Sequence, residues 1–162
     1  MGSGKSTTAD HLRYLIPGSV VLGICRLKWL VSGFVCTKKE YKIAGEVIMA
    51  MADCYLKHGK TLIIEQCFRE KRLMKPYVDL SAKKKIPLAI YELQAPKSIL
   101  LARIKQRPKP KLKINRLPWR KILDNIAAYP HSAFFPVRQE FDTSRLSTRK
   151  ICNWIIKDIS NL

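Results

Sequence analysis

Acidic residues are scarce in this chain. Twelve aspartates and glutamates stand against 31 lysines and arginines, which leaves a net charge of +19 over 162 residues. Such a surplus attracts phosphates and polyanions without selecting among them. Long apolar runs are missing as well. No stretch approaches the roughly 18 consecutive apolar residues of a membrane span, so no membrane partner is expected. Cysteine is sparse and dispersed: Cys25, Cys36, Cys54, Cys67 and Cys152 are odd in number and form no C-x-x-C pair. That spacing argues against a zinc cage and against a disulfide framework. It suits a reducing, cytoplasmic setting in which cysteines serve mostly as small apolar fillers. His11, His58 and His131 are scattered, without metal-ligand spacing. Internal repeats, low-complexity tracts and clear linkers are absent too, and the length fits one domain spanning residues 1–162.

What is present begins at the first residue. Met1-Gly2-Ser3-Gly4-Lys5-Ser6-Thr7 reads as the second half of a phosphate loop, and its position leaves no room for a signal peptide. In such a loop the backbone N–H groups of Gly2, Ser3, Gly4, Lys5, Ser6 and Thr7 cradle phosphates, helped by the positive end of the following helix. Lys5 is expected to neutralise the β- and γ-phosphates, and Ser6 to give its hydroxyl to Mg²⁺. Thr7 and Thr8 also read as ordinary first-turn hydroxyls. The full pattern, G-x-x-x-x-G-K-[ST], starts with a glycine and a feeding strand that would lie ahead of Met1.

Behind the loop, helical and strand-like segments alternate, which points to an α/β fold with parallel strands. A helix is predicted from Lys5 to about Leu15, facing inward through Ala9, Leu12 and Ile16. Ser19 to Ile24 reads as a short strand. Lys39 to His58 is an amphipathic helix whose inward stripe is Ala44, Val47, Ile48, Met51 and Tyr55, with Gly59 just past its end. Thr61 to Glu65 is a strand ending in a carboxylate. Lys71 to about Lys84 is a helix packing through Leu73, Met74, Tyr77 and Leu80. Ile86 to Leu93 reads as the next strand, and Pro96 opens a helix reaching Arg107. After a basic, proline-rich stretch, Trp119 to Tyr129 resumes helix and Gln139 to Asp142 forms a last strand. Ser147 then caps a helix burying Ile151, Trp154, Ile155 and Ile159.

Four further features bear on chemistry. Arg103 and Arg107 sit four apart on one predicted helix and share a face; they read either as charge stabilisers for a triphosphate or as a solvated pair. Glu65 ends an apolar strand, where open α/β sheets place their ligands, so it is a candidate for a Mg²⁺ water or a substrate hydroxyl. The plain alternative is a strand-end charge pairing with Arg69 or Lys71. Cys25 and Arg26 follow the second predicted strand in the equivalent position. Cysteine is a poor base, and Arg26 could bind an anionic acceptor instead. The basic stretch at 105–121 reads either as a phosphate-facing segment or as a solvated loop.

Taken together, Gly4-Lys5-Ser6-Thr7, the strand Thr61-Leu-Ile-Ile-Glu65, Leu93-Gln-Ala-Pro96 leading into Arg103 and Arg107, and the tail from Phe141 to Ser147 resemble the P-loop kinases of the zeta-toxin, chloramphenicol phosphotransferase and polynucleotide kinase group. The resemblance implies a three-layer, nucleoside-kinase-like parallel sheet in the order 2-3-1-4-5. It also implies ATP with Mg²⁺ as cofactors, a lid at about 105–121 carrying arginines, and transfer of the γ-phosphate to a hydroxyl. Lys5, Glu65 and Arg107 are then the expected catalytic residues, and Gly2 to Thr7 with Arg103 and Arg107 the nucleotide-binding ones. The aspartate base usual in that group falls at Cys25. The central first strand is missing from this sequence, and the expectation is a longer product that supplies it. The expected activity is an ATP-dependent kinase acting on a small-molecule or nucleotide acceptor. The alternative is a catalytically impaired kinase-fold protein that binds polyanions or a nucleic acid end, although no recognised nucleic-acid motif is present.

Overall fold

Two separate pairs of parallel strands organise the chain. The computed structural model describes residues 2–32, 34, 37–68, 70–107, 119–127 and 135–162. Its elements are α1 (Lys5–Leu15), β1 (Val20–Leu22), α2 (Ile24–Leu27), a 3₁₀ turn (Lys28–Leu30), α3 (Lys38–Lys57), β2 (Leu62–Ile64), α4 (Lys71–Lys84), β3 (Tyr91–Gln94), α5 (Lys97–Gln106), α6 (Trp119–Ala127), β4 (Gln139–Asp142) and α7 (Thr148–Ile159). β1 pairs with β2, Val20 opposite Leu62 and Leu22 opposite Ile64. β3 pairs with β4, Tyr91 opposite Gln139 and Gln94 opposite Asp142. Among the described residues no strand joins the two pairs. In the order that the resemblance implies, β1 and β2 correspond to the strands numbered 2 and 3, and β3 and β4 to those numbered 4 and 5.

The helices follow their local signals closely. Thr37 caps α3 by accepting the Glu40 N–H at 3.2 Å, and Ser147 caps α7 by accepting from Lys150, each satisfying a donor that the helix start leaves unpaired. Gly59 adopts φ +67 behind α3, the left-handed turn expected of a glycine there.

Two strands are shorter than their apolar runs suggest. β1 stops at Leu22 because the Gly23 carbonyl already accepts from Arg26 and Leu27 and starts α2. A Cβ on Gly23 would lie 2.3 Å from the Glu65 carbonyl oxygen, so only glycine permits this close approach. β3 begins at Tyr91, not at Ile86. Ile86 is tied back to the end of α4, its N–H donating to the Ser81 carbonyl and its own carbonyl accepting the Ser81 hydroxyl at 2.7 Å. Pro87 has no N–H to offer a ladder.

Each strand pair has its own core. Leu12, Phe141, Ile151, Cys152 and Ile155 are buried together where α1, α7 and β4 meet. Leu22, Ile48 and Ala52 form a second cluster between β1 and α3, with Tyr77 and Leu80 of α4 against it. Three expectations need correction. Val47 is exposed, because the buried stripe of α3 runs Ala44–Ile48–Ala52 at steps of four. Trp154 is 40% exposed and meets Tyr91 and Phe141 edge-on instead of entering the core. Among the described cysteines Cys152 alone is buried, and Cys25 and Cys54 are exposed; burial pushes the Cys152 thiol up.

The strand pair β3–β4 is locked to α7 by charge. Arg138 places Nε and Nη2 at 2.6 and 2.7 Å from the Asp158 carboxylate, and the Tyr91 hydroxyl donates to the same carboxylate at 2.6 Å. The guanidinium and the phenol hold the Asp158 carboxyl below its ordinary value of 3.8.

Two outcomes follow. Ile48→Ala removes a side chain that is 1% exposed and should destabilise the fold by about 2–5 kcal/mol, as a core truncation does, measured by urea unfolding. Asp158→Asn should lower the melting temperature at neutral pH. Because the folded pKa is depressed, that contribution is complete above the unfolded value and disappears as pH falls through the folded one. The melting gap between wild type and variant should therefore close below about pH 3.8.

Candidate functional site

The start of α1 is entered through two left-handed glycines, Gly2 at φ +80 and Gly4 at φ +85. At Gly2 the requirement is double, since an added Cβ would also lie 3.0 Å from the Leu100 carbonyl oxygen. The first helical turn leaves N–H groups without intrahelical acceptors, and together with the helix dipole they make an anion site. Ser3 and Thr8 are buried beside it, and the Lys5 ammonium donates to the Ser3 hydroxyl at 3.1 Å.

Arg103 of α5 and Arg107, just past the end of that helix, meet this loop. A cavity of about 260 Å³ is lined by Gly2, Gly4, Thr7, Thr8, Arg103 and Arg107, and is closed by Thr143, Leu146, Thr148 and Ile151. Arg103 donates to the Thr143 carbonyl at 2.6 Å, to the Thr143 hydroxyl at 2.8 Å and to the Gly2 carbonyl at 3.3 Å. Thr143 is fixed in turn by the Gln94 carbonyl, which accepts both its N–H and its hydroxyl. The end of the β3–β4 pair thus positions Arg103 against the loop, and Arg107, the extended residue that follows α5 and not part of the helix as the four-residue spacing predicts, shares the cavity.

A second group forms at the carboxyl end of β2. The Ser6 hydroxyl donates to Glu65 Oε1 at 2.7 Å. Arg26 of α2 lies 3.4 Å from the other Glu65 oxygen and 3.0 Å from Asp10 of α1. Glu65 keeps only 8% of its side chain exposed, and among the described residues its ion-pair partner is Arg26 from α2; Arg69, the alternative partner, lies outside the described residues. Arg26 Nη2 and Gln66 Oε1 are buried without a hydrogen-bond partner among the described residues. Buried polar atoms left unpaired cost about 1–3 kcal/mol each, so such atoms call for a ligand or a water.

The residues singled out in the sequence therefore fall into two groups. Gly2, Gly4, Thr7, Arg103 and Arg107 surround one cavity. Ser6 and Glu65 join at the second position, while Lys5 and Glu65 line a larger groove of about 520 Å³ between the strand pairs. Of the basic stretch at 105–121, residues 108–118 lie outside the described residues. Sequence reading missed Asp10, Thr143 and Gln66. For Asp10 a signal existed, because it is four residues beyond Ser6 and so shares its helix face. Thr143 and Gln66 gave none, since each acts through neighbours distant in sequence. No group of three or more His, Cys, Asp or Glu that could by itself hold a metal ion occurs among the described residues. No described helix is long and apolar enough to cross a membrane.

Comparison with known proteins agrees with this geometry. The fold is similar to the tunicamycin resistance protein of Deinococcus radiodurans, with a TM-score of 0.63, 19% identity, and coverage of 98% of this chain and 90% of that one. It is also similar to the APS kinase CysC of Mycobacterium tuberculosis, solved with AMPPNP and APS, with a TM-score of 0.71, 12% identity, and coverage of 98% and 92%. A further solved protein, APE1195, gives a TM-score of 0.74 at 16% identity, covering 100% of this chain and 91% of that one. No curated protein matches the sequence. The architecture is that of the nucleoside-kinase-like P-loop fold. The family model described as AAA domain matches residues 1–129, and the chain belongs to that family of P-loop, kinase-like nucleotide-binding proteins.

Proposed function

We propose that this protein is an ATP-dependent kinase that transfers the γ-phosphate of ATP to a hydroxyl of an anionic small-molecule or nucleotide acceptor. The observation that supports this most is the convergence of Arg103 and Arg107 on the cavity beside the two left-handed glycines of the phosphate loop. Phosphoryl transfer asks a protein mainly for positioning and for positive charge around the transferred group. Amides at a helix start, an ammonium and two guanidiniums provide those elements.

The remaining groups take roles consistent with this reading. The Ser6 hydroxyl and the Glu65 carboxylate, 2.7 Å apart, are the hard oxygen donors that Mg²⁺ prefers, with phosphate oxygens and waters filling its other positions. Bound there, Mg²⁺ would screen charge on the β- and γ-phosphates. Arg26, with one buried nitrogen unpaired, is suited to hold an anionic group of the acceptor near Glu65. Glu65 would accept the hydroxyl proton or orient that hydroxyl, and Cys25, exposed on α2, is not needed as a base.

One observation favours a second reading, a kinase-fold protein without turnover that binds polyanions or a nucleic acid end. The Lys5 ammonium is engaged with Ser3 and lines the groove between the strand pairs, whereas the two arginines line the other cavity. Phosphate contacts dominate nucleic-acid binding and make it depend steeply on salt.

The two readings separate in a small set of measurements. Equilibrium dialysis with Mg·ATP should give saturable binding that Lys5→Ala weakens at least about tenfold, roughly 1.4 kcal/mol. A screen with labelled γ-phosphate against anionic hydroxyl compounds should show transfer that Lys5→Ala abolishes. With an acceptor in hand, Arg26→Ala should raise the acceptor KM about tenfold or more while leaving ATP binding unchanged. Oligonucleotide binding that weakens with salt and ignores Lys5→Ala, with no label transferred to any acceptor, would replace the kinase by the polyanion binder.

A further inference from the structure

Helix α3 carries more apolar surface than the fold uses. Its inward stripe, Ala44–Ile48–Ala52, is buried. A second apolar stripe runs beside it. Ile43 is 47% and Val47 40% exposed, and Ala50 and Cys54 are exposed as well. Steps of four, three and four put these residues on one face, the spacing with which one helix packs along another. Leu30 and Val31 are exposed too, just ahead of Phe34, whose ring meets Tyr41 at the start of α3. Single exposed apolar residues are ordinary, but a contiguous stripe marks an interaction face. With 20 residues α3 is the longest described helix, about 30 Å from end to end.

Charge selects the partner that suits this face. The whole chain is +19, so two copies repel in most orientations. Helix α3 is the exception. Its four lysines, Lys38, Lys39, Lys42 and Lys57, stand against three acids, Glu40, Glu46 and Asp53, which leaves +1 on the helix and +18 on the rest of the chain. Along the flank of the stripe Lys42 pairs with Glu46 at 4.0 Å and Lys57 with Asp53 at 2.7 Å, two charges of each sign. An acidic partner would be drawn to the lysine-rich remainder of the surface, whereas a second copy meets no net repulsion here. The stripe also fits itself. About a twofold axis between Ile48 and Met49, antiparallel packing sets Val47 against Ala50 of the second copy and Ile43 against Cys54, a larger side chain beside a smaller one at each level. It also brings Lys42 near Asp53 of the second copy. Parallel packing would set Ile43 against Ile43 and Ala50 against Ala50, bulk on bulk and gap on gap.

We infer that this face of α3 binds a second copy of the chain, and that the protein is a twofold dimer packed through antiparallel α3 helices. Ile43, Val47, Ala50 and Cys54 line neither the loop cavity nor the groove between the strand pairs, so the dimer stands or falls apart from the kinase reading.

Sedimentation equilibrium of the full chain, without nucleotide, should show a dimer at about 100 μM, and Val47→Glu should weaken the association at least about tenfold while keeping the circular dichroism spectrum of the wild type. Cross-linking reads the register without burdening the fold. In oxidised glutathione, Ile43→Cys should form an intermolecular disulfide with the native Cys54 of the second copy, and adding Cys54→Ala should remove it. The wild type should form no Cys54–Cys54 disulfide, because antiparallel packing holds the two Cys54 residues about 16 Å apart along the helix axis. A wild-type monomer at about 100 μM would overturn the dimer. A dimer that ignores Val47→Glu and gives no disulfide with Ile43→Cys would overturn this face as its interface. A Cys54–Cys54 disulfide in the wild type, identified by peptide mass, would overturn the antiparallel register.

Discussion

The phosphate loop is held at two points, and the rest of the site depends on that double attachment. On one side Arg103 carries the loop through the Gly2 carbonyl to Thr143 and Gln94. On the other, Ser6 is tied to Glu65 at the end of β2. A backbone with two glycines at positive φ has little intrinsic preference for one shape. These side-chain contacts tie both flanks of the loop to the strand ends. The same contacts bring the Arg103 guanidinium and the Glu65 carboxylate to within reach of the loop. Anchoring and the proposed chemistry thus draw on the same residues.

Charge balance around Glu65 shows how a strongly basic protein uses its few carboxylates. Asp10, Arg26 and Glu65 form a chain from α1 through α2 to β2, and a single guanidinium serves two acids from different elements. Asp158 is likewise shared by Arg138 and Tyr91. With 12 acids in 162 residues, those at element junctions link parts of the chain that apolar packing leaves separate. The divided core makes such links necessary, because the Leu12–Ile155 cluster and the Leu22–Ala52 cluster meet across a groove.

Much of this was readable before folding, and the boundary of what was readable has a physical basis. Helices α1, α3, α4 and α7 lie within a residue or so of their predicted limits, because caps such as Thr37 and Ser147 and stripes at steps of three and four are local signals. The β4 limits also held. β1 and β3 were overestimated, because a strand exists only where a partner offers a ladder, and Gly23 and Ile86 are claimed by α2 and by Ser81. Trp154 and Val47 were assigned inward on period alone, and their exposure is set by how neighbouring elements sit. Of the residues that line the loop cavity, Gly2, Gly4, Thr7, Arg103 and Arg107 are legible from a motif and a four-residue spacing, while Thr143 is not.

By itself the sequence determined the class of fold, the helix that begins at Lys5 and the phosphate-binding character of its start, since all of these follow from short-range stereochemistry. Tertiary structure alone decided that Glu65 pairs with Arg26 and Ser6, that Arg103 and Arg107 reach the loop while Lys5 turns to the groove, and that the strands separate into two pairs. Each of these outcomes joins residues far apart along the chain, and side-chain and ladder partners at that separation are chosen by packing, which no local pattern encodes.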